Sequence, residues 1–199
     1  MSITYKKFFT KKGYEIQGPL LLIPELFNDE RGFFFESWNK KTWEDILKKN
    51  NQNSNSFVQD NHSKSSKGTL RGLHYQKNPS AQGKLVRCIQ GEIFDVAIDL
   101  RKESKTFCNY IGVKLNCKNK NQLWIPKGFA HGFLTLSNYA EVNYKTTDYW
   151  DKNKERTIKW DEKRLNIEWP LQEVNSRIHL SDKDKNGLLF SQLSDEELF

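Results

Sequence analysis

An imidazole and a guanidinium flank a glycine at Arg71, Gly72 and His74, inside the strand-like run Leu70-Arg71-Gly72-Leu73-His74-Tyr75-Gln76. Upstream lies Gln59-Asp60-Asn61-His62-Ser63, and downstream Gly83-Lys84-Leu85-Val86-Arg87. A half-buried strand turns its polar residues to water. Here the polar set is chemically particular enough to line a cavity. A histidine titrates near neutrality and so can take or give a proton. A cation at Lys84 can stabilise an enolate oxygen. Tyr144, in step with Val142 and Thr146, can donate a phenolic proton. Asp182 or Asp184, in Leu180-Ser181-Asp182-Lys183-Asp184, can orient an imidazole as a buried carboxylate does in a hydrolase triad. Each residue also has a plainer reading. A lone strand histidine is more often structural than catalytic, Tyr144 can equally be a packing aromatic, and from spacing alone 180–184 reads more readily as an exposed turn. The residues alone leave these alternatives open.

Metal chemistry is disfavoured. His74 and His131 both sit in strands beside glycines, whereas His62 and His179 sit among polar loop residues. A metal-binding barrel of the cupin type supplies His-x-His and a nearby Glu, but here the segment is His74-Tyr75-Gln76. No cysteine cluster replaces the missing ligand, so no metal is expected. The chain has no Gly-x-Ser-x-Gly, no phosphate-cradling loop and no dinucleotide fingerprint, which removes acyl transfer and redox cofactors from the expected chemistry.

The elements that position these residues are mostly strands. Alternation marks 57–63, 85–89, 93–100, 111–115, 122–125, 129–136 and 141–149, with turn residues between them. Phe33-Phe34-Phe35-Glu36-Ser37-Trp38 reads as a further strand, introduced by Asn28-Asp29-Glu30-Arg31-Gly32. One segment changes period: Trp43, Ile46 and Leu47 share a helical face, Thr42 with Asp45 predicts a capping box, and Lys48 and Lys49 suit the C-terminal end. The Asn-rich stretch 50–55 ends that helix. Residues 1–18 read as a polar arm or edge element, and 150–199 as turn-rich, with Ile167-Glu168-Trp169-Pro170 as an anchor and a helix near Ser194. Many short strands and one helix predict an all-β sandwich or barrel.

The 199 residues suit a single domain, and an aromatic content of 13% argues for a packed core despite a mean hydropathy of −0.80. A net charge of +7 favours an anionic partner, but no basic arm or basic helix points to nucleic acid. Three cysteines leave one unpaired in any disulfide scheme. With no apolar leader and no membrane-length run, a cytoplasmic location and no membrane partner are expected.

Several blocks together then match a family. Asp29-Glu30-Arg31-Gly32-Phe33-Phe34, Gln59-Asp60-Asn61, Leu70 to Gln76, and Gln82-Gly83-Lys84-Leu85-Val86-Arg87 resemble dTDP-4-dehydrorhamnose 3,5-epimerases. So do Leu123-Trp124-Ile125-Pro126-Lys127-Gly128-Phe129-Ala130-His131-Gly132-Phe133, Tyr144-Lys145-Thr146-Thr147-Asp148-Tyr149 and Ile167-Glu168-Trp169-Pro170. The resemblance implies a cupin-type jelly-roll barrel spanning 1–199, with an arm at 1–18, one short helix in the N-terminal half, and a C-terminal segment at 170–199 carrying minor helical elements. It implies no metal and no organic cofactor, a homodimer, and a dTDP-linked 4-keto-6-deoxy sugar as substrate.

Position by position, the resemblance implies His74 as general base, Asp184 as its partner and Tyr144 as general acid on the other side of the sugar. Lys84 and His131 match residues around the sugar carbonyl. Arg31, Glu36, Gln59, Asp60, Asn61, Arg71, Glu155 and Lys183 match nucleotide-sugar contacts, with Arg31 and Glu36 reaching a neighbouring subunit, and Tyr149 matches an aromatic beside the substrate. Three features depart from the family pattern: the long arm, the Asn-rich stretch, and Trp150 where tyrosine is common. The rival expectations are a relative that inverts one centre or uses another nucleotide-linked 4-keto sugar, and a cupin that binds the nucleotide-sugar without catalysis. Arg71 and His74 have opposite strand parity, so both can face one cavity only if a bulge or twist interrupts the strand at Gly72.

Overall fold

The computed structural model describes residues 2–53, 56–175 and 177–199. Its strands are β1 (Ile3–Phe9), β2 (Glu15–Pro24), β3 (Phe27–Asp29), β4 (Gly32–Phe34), β5 (Gln59–Ser66), β6 (Leu70–Gln76), β7 (Lys84–Gln90), β8 (Glu92–Asp99), β9 (Tyr110–Asn116), β10 (Gln122–Ile125), β11 (Phe129–Thr135), β12 (Tyr139–Thr146) and β13 (Glu155–Thr157). Helix α1 (Lys40–Lys49) precedes β5, and a short α2 (Asp182–Lys185) follows β13 among three single 3-10 turns. The fold is an all-β jelly-roll barrel of the cupin type. One sheet has the order β1-β2-β10-β7-β12-β5 and the other β13-β6-β11-β8-β9, with β3 and β4 forming a separate two-stranded hairpin.

The period-two pattern of the strands explains the layers. Inward side chains Val86, Cys88, Leu123 and Val142 of the first sheet meet Ile93, Ala97, Ile111 and Phe133 of the second. The residues between them on β8 and β11, such as Val96, Ile98, Ala130 and Leu134, are apolar as well. They face outward and are covered by Ile158, Leu165, Trp169 and Phe190 from the chain that follows β13. The anchor around Trp169 is therefore the lid on the second sheet's outer face. On the first sheet, Leu20, Leu22, Leu85 and Trp124 receive Trp43, Ile46 and Leu47 of α1, the face the helical period predicts.

The helix begins earlier than the sequence suggests. Asn39, not Thr42, is the N-cap, and its side chain accepts a hydrogen bond from the Thr42 amide (3.2 Å). Asn caps as well as Ser does, and a cap at 39 adds a turn before the apolar face starts. Strand β2 likewise starts at Glu15, so residues 15–18 belong to an inner strand of the sheet and the arm is confined to β1 and the turn after it. Met1 lies outside the described residues, as do Ser54 and Asn55 of the Asn-rich stretch. Within that stretch, Gln52 donates to the Gly18 carbonyl and accepts from Trp124 Nε1, both at 2.8 Å. The strand expected at 33–38 stops at Phe34, the last residue of β4.

The interruption at Gly72 is present. Along β6 and β11, His74 pairs with His131 and Arg71 with Phe133, so three residues on one strand span two on the other. Gly72 has φ +132°, and a Cβ there would stand 2.6 Å from Gly132 Cα and 2.9 Å from the His131 carbonyl oxygen. Only glycine allows that conformation and that close approach. The extra residue sends Leu70, Leu73 and Tyr75 to the outer core. It leaves both Arg71 and His74 facing the other sheet.

Candidate active site

His74 projects from β6 into a cavity of about 90 Å³ whose walls include Gln59, Asn61, Lys84, Tyr144 and Glu155. Behind it stands Asp184, which is 3% exposed. Its Oδ1 lies 2.5 Å from His74 Nε2 and 3.4 Å from the Gly72 amide. Asp184 reaches this position although more than a hundred residues separate it from His74. A parallel bridge between Thr69 and His179 lays the C-terminal segment beside the start of β6, and α2 follows at once. Hydrogen bonds from His74, Ser181 and the Gly72 amide hold the Asp184 carboxyl below its usual range against the cost of burial. An ionised Asp184 accepts the Nε2 proton, so the basic lone pair of a neutral His74 is on Nδ1. Burial, opposed by Asp184, pushes the His74 imidazole below its ordinary value. It is therefore neutral at pH 7, the state a general base requires.

The opposite wall comes from the other sheet. Tyr144 on β12 sits across from Asn61 and Val86 of the neighbouring strands. Burial raises its phenol, with Glu155 adding to the effect, so the hydroxyl keeps its proton. Lys84, the first residue of β7, reaches across to the His74 carbonyl oxygen at 3.3 Å. Burial pushes its ammonium down to about 8, partly opposed by Glu155 and Asp95. One cavity thus has a neutral base on one wall, a protonated acid on the other, and a cation spanning them.

The remaining expected site residues fall into three groups. Gln59, Asn61 and Glu155 line the cavity. Glu155 is paired at 3.0 Å with Lys183, the residue before Asp184. Arg71 does not line the cavity; it spans the two sheets, donating to Ser65 Oγ at 3.0 Å, and its charge is felt by Tyr144. His131, directly across from His74, does not line the cavity; its Nε2 is 2.8 Å from Asp95 Oδ1. Asp60 points to the other side of β5, where it pairs with Lys145 at 2.8 Å. Arg31 and Glu36 are not brought to this cavity by their own chain. Arg31 sits in the β3–β4 hairpin, 84% exposed, and pairs with Asp29. Glu36 accepts from Asn39 at 3.0 Å.

Tyr149 is 65% exposed and does not line the cavity, whereas its neighbour Trp150 forms part of the wall. Three glutamines fix the segment carrying them. Gln76 donates to the Tyr149 carbonyl (3.1 Å) and accepts from the Asp151 amide (2.7 Å). Gln82 donates to the Asp148 carbonyl (2.7 Å), and Gln59 accepts from the Trp150 amide (3.1 Å). Sequence reasoning missed these clamps, together with Asp95 and Ser181. Asp95 carried a readable signal, a carboxylate between Ile93 and Ala97 on a face that otherwise enters the core. Among the described residues no group of three or more His, Cys, Asp or Glu side chains is placed to hold a metal ion.

Comparison with known proteins adds an independent line. The sequence profile described as dTDP-4-dehydrorhamnose 3,5-epimerase matches residues 13–192. The chain is 56% identical over 176 residues to the dTDP-4-dehydrorhamnose 3,5-epimerase of Shigella flexneri, covering 88% of this chain and 93% of that one. It is 50% identical over 179 residues to the enzyme of that name from Escherichia coli strain K12, covering 90% and 93%. In structure it resembles the dTDP-6-deoxy-D-glucose-3,5-epimerase of Legionella pneumophila, solved in complex with dTDP-4-keto-L-rhamnose. There the TM-score is 0.88 at 41% identity, over 99% of this chain and 97% of the other. A 3'-monoepimerase from Streptomyces bikiniensis, in complex with dTDP-quinovose, matches at a TM-score of 0.79 and 25% identity, over 87% and 84%.

Proposed function

This chain belongs to the dTDP-4-dehydrorhamnose 3,5-epimerase family, and on that premise we propose how its cavity performs the reaction. The activity is inversion at C3 and C5 of dTDP-4-dehydro-6-deoxy-D-glucose, giving dTDP-4-dehydro-L-rhamnose. The observation that carries the reading is the opposition of His74 and Tyr144 on facing sheets, with Lys84 spanning them. The identity of 34–56% to named 3,5-epimerases, against 25% to a monoepimerase, favours two inversions over one.

Both reacting hydrogens are α to the C4 carbonyl and therefore acidified. His74 Nδ1 takes the proton from carbon, the C–H electron pair moves into an enolate, and the negative charge settles on O4. The Lys84 ammonium faces that charge. Tyr144 then delivers its hydroxyl proton to the same carbon from the opposite side, which inverts the centre. Imidazolium and phenolate return to their starting states by proton exchange with water. Positioned acid–base catalysis contributes about 10²–10⁴-fold and an oxyanion donor about 10²–10³-fold, so neither suffices alone. The diphosphate suits Arg71, since a guanidinium binds phosphate bidentately. Asn61, Glu155 and Lys183 contact the sugar-nucleotide, and Tyr149 and Trp150 offer ring faces to the base. The whole chain acts as one jelly-roll unit in the cytoplasm. Incubation with the 4-keto sugar should yield a product inverted at both centres by NMR; unchanged substrate, or inversion at C3 alone, would overturn the reading.

The protein works as a homodimer. The β3–β4 hairpin joins neither sheet of its own chain, and it exposes Phe33 at 54% and Phe34 at 60% beside Arg31. An apolar finger tipped with a cation fits the mouth of a partner's cavity, where Arg31, Glu36 and the partner's anionic ligand would meet. Mixing Arg31→Ala and His74→Ala chains then rebuilds one intact site in each mixed dimer, about a quarter of wild-type activity from two nearly inactive variants. Activity equal to the mean of the two variants alone would place Arg31 in its own subunit's site or in none.

A further inference from the structure

We propose that Ser181 is a positioning residue for the base, acting through Asp184 to fix the tautomer and orientation of His74. The inference rests on the reading of His74 as the base. Ser181 Oγ donates to Asp184 Oδ2 at 2.7 Å and accepts from the Asp184 amide at 3.2 Å. The other carboxylate oxygen, Oδ1, is taken by His74 Nε2 and the Gly72 amide. Ser181, Asp184 and His74 therefore form one hydrogen-bonded line from a backbone cap to the cavity. Each oxygen of a nearly fully buried carboxylate has a defined partner.

The same hydroxyl serves two purposes that are separable. It caps α2, which has only four residues and cannot hold its own geometry. It also satisfies Oδ2. Without that donor the buried oxygen must rotate toward another partner or take a proton. Rotation breaks the alignment with Nε2, and protonation releases the imidazole from its tautomer. Because Ser181 withdraws charge from the carboxylate, its loss leaves a more basic Asp184, which holds the imidazolium more tightly. Lys183 on α2 and Lys84 on β7 also act on His74, and Glu155 on β13 lines the same cavity; none of these side chains is changed by a substitution at 181.

Ser181→Gly separates the two purposes, because glycine is nearly as good an N-cap as serine yet has no hydroxyl. The expected result is a kcat lowered about 10- to 100-fold with KM within about twofold, and an acid limb of kcat/KM moved upward by about half a pH unit. Ser181→Thr, which keeps the hydroxyl, should restore both. In the ligand-free protein, nitrogen-15 NMR of His74 should read a proton fixed on Nε2 in wild type and a mixture of tautomers in Ser181→Gly. That measurement needs no turnover, and it decides the matter even if the variant is poorly active. A wild-type kcat, an unmoved acid limb or an unchanged tautomer in Ser181→Gly overturns the proposal. If that variant behaves as wild type while His74→Ala is inactive, only the role of Ser181 falls. If His74→Ala is active, the reading beneath it falls as well.

Discussion

His74→Ala should lower epimerisation, and the exchange of solvent protons with the sugar, by about a thousandfold or more while leaving dTDP affinity within about threefold. The imidazole is the neutral base on its wall of the cavity, and its Nδ1 lone pair is set by the bond from Nε2 to Asp184. The diphosphate and base contacts proposed here lie on other residues, so the loss should fall on kcat rather than on binding. The substitution also strips a partner from a buried carboxylate. A hydrogen bond to a charged group is worth about 1.5–3 kcal/mol, and chemical denaturation should show a loss of that order. His74→Asn, whose amide can still donate to Asp184, should recover much of the stability and none of the rate. An Asn variant as active as wild type would remove His74 from the chemistry.

Lys84→Met should make the protein more stable and less active at once. Burial lowers the Lys84 ammonium from 10.5 to about 8, so the folded state binds this proton less tightly than the unfolded chain. The penalty is fully present below pH 8 and is relieved as pH rises toward 10.5. At pH 7 it is on the order of 3 kcal/mol, which a methionine of similar shape would recover. Denaturation midpoints at pH 7 should rise accordingly, and the gain should shrink at pH 10. The cost is the cation proposed to face O4: kcat should drop by about 10²–10³-fold. Wild-type kcat/KM should also fall as pH rises through about 8, because the free enzyme then loses the ammonium. In Lys84→Met that alkaline limb should vanish. Persistence of the limb in the variant would assign it to another group.

Much of this site was legible in the chain. Alternation along β6 and β7 marked His74 and Lys84 as strand residues with polar neighbours, and the opposed parity of Arg71 and His74 demanded the break at Gly72 that the backbone contains. What sequence could not give was mostly long-range. The bond between His74 and Asp184 depends on the Thr69–His179 bridge, which leaves no periodic mark in residues 177–184. Strand β13 has three residues and exists because Glu155, Arg156 and Thr157 pair with β6, so local propensity says nothing of it. The helix face was readable from Trp43, Ile46 and Leu47, but its start was not, since Asn39 and Thr42 are both competent caps and only packing chooses. Arg31 and Glu36 carry a lesson of another kind. Their expected role needs a second copy of the chain, and no reading of one chain's geometry can assemble that site.

The most direct test of the account is solvent deuterium uptake. Wild-type protein, dTDP-4-dehydro-6-deoxy-D-glucose and deuterium oxide are combined, and C3 and C5 are read by NMR as the reaction proceeds. Deuterium should appear at both carbons, with inversion of both. Deuterium at neither carbon would contradict the account.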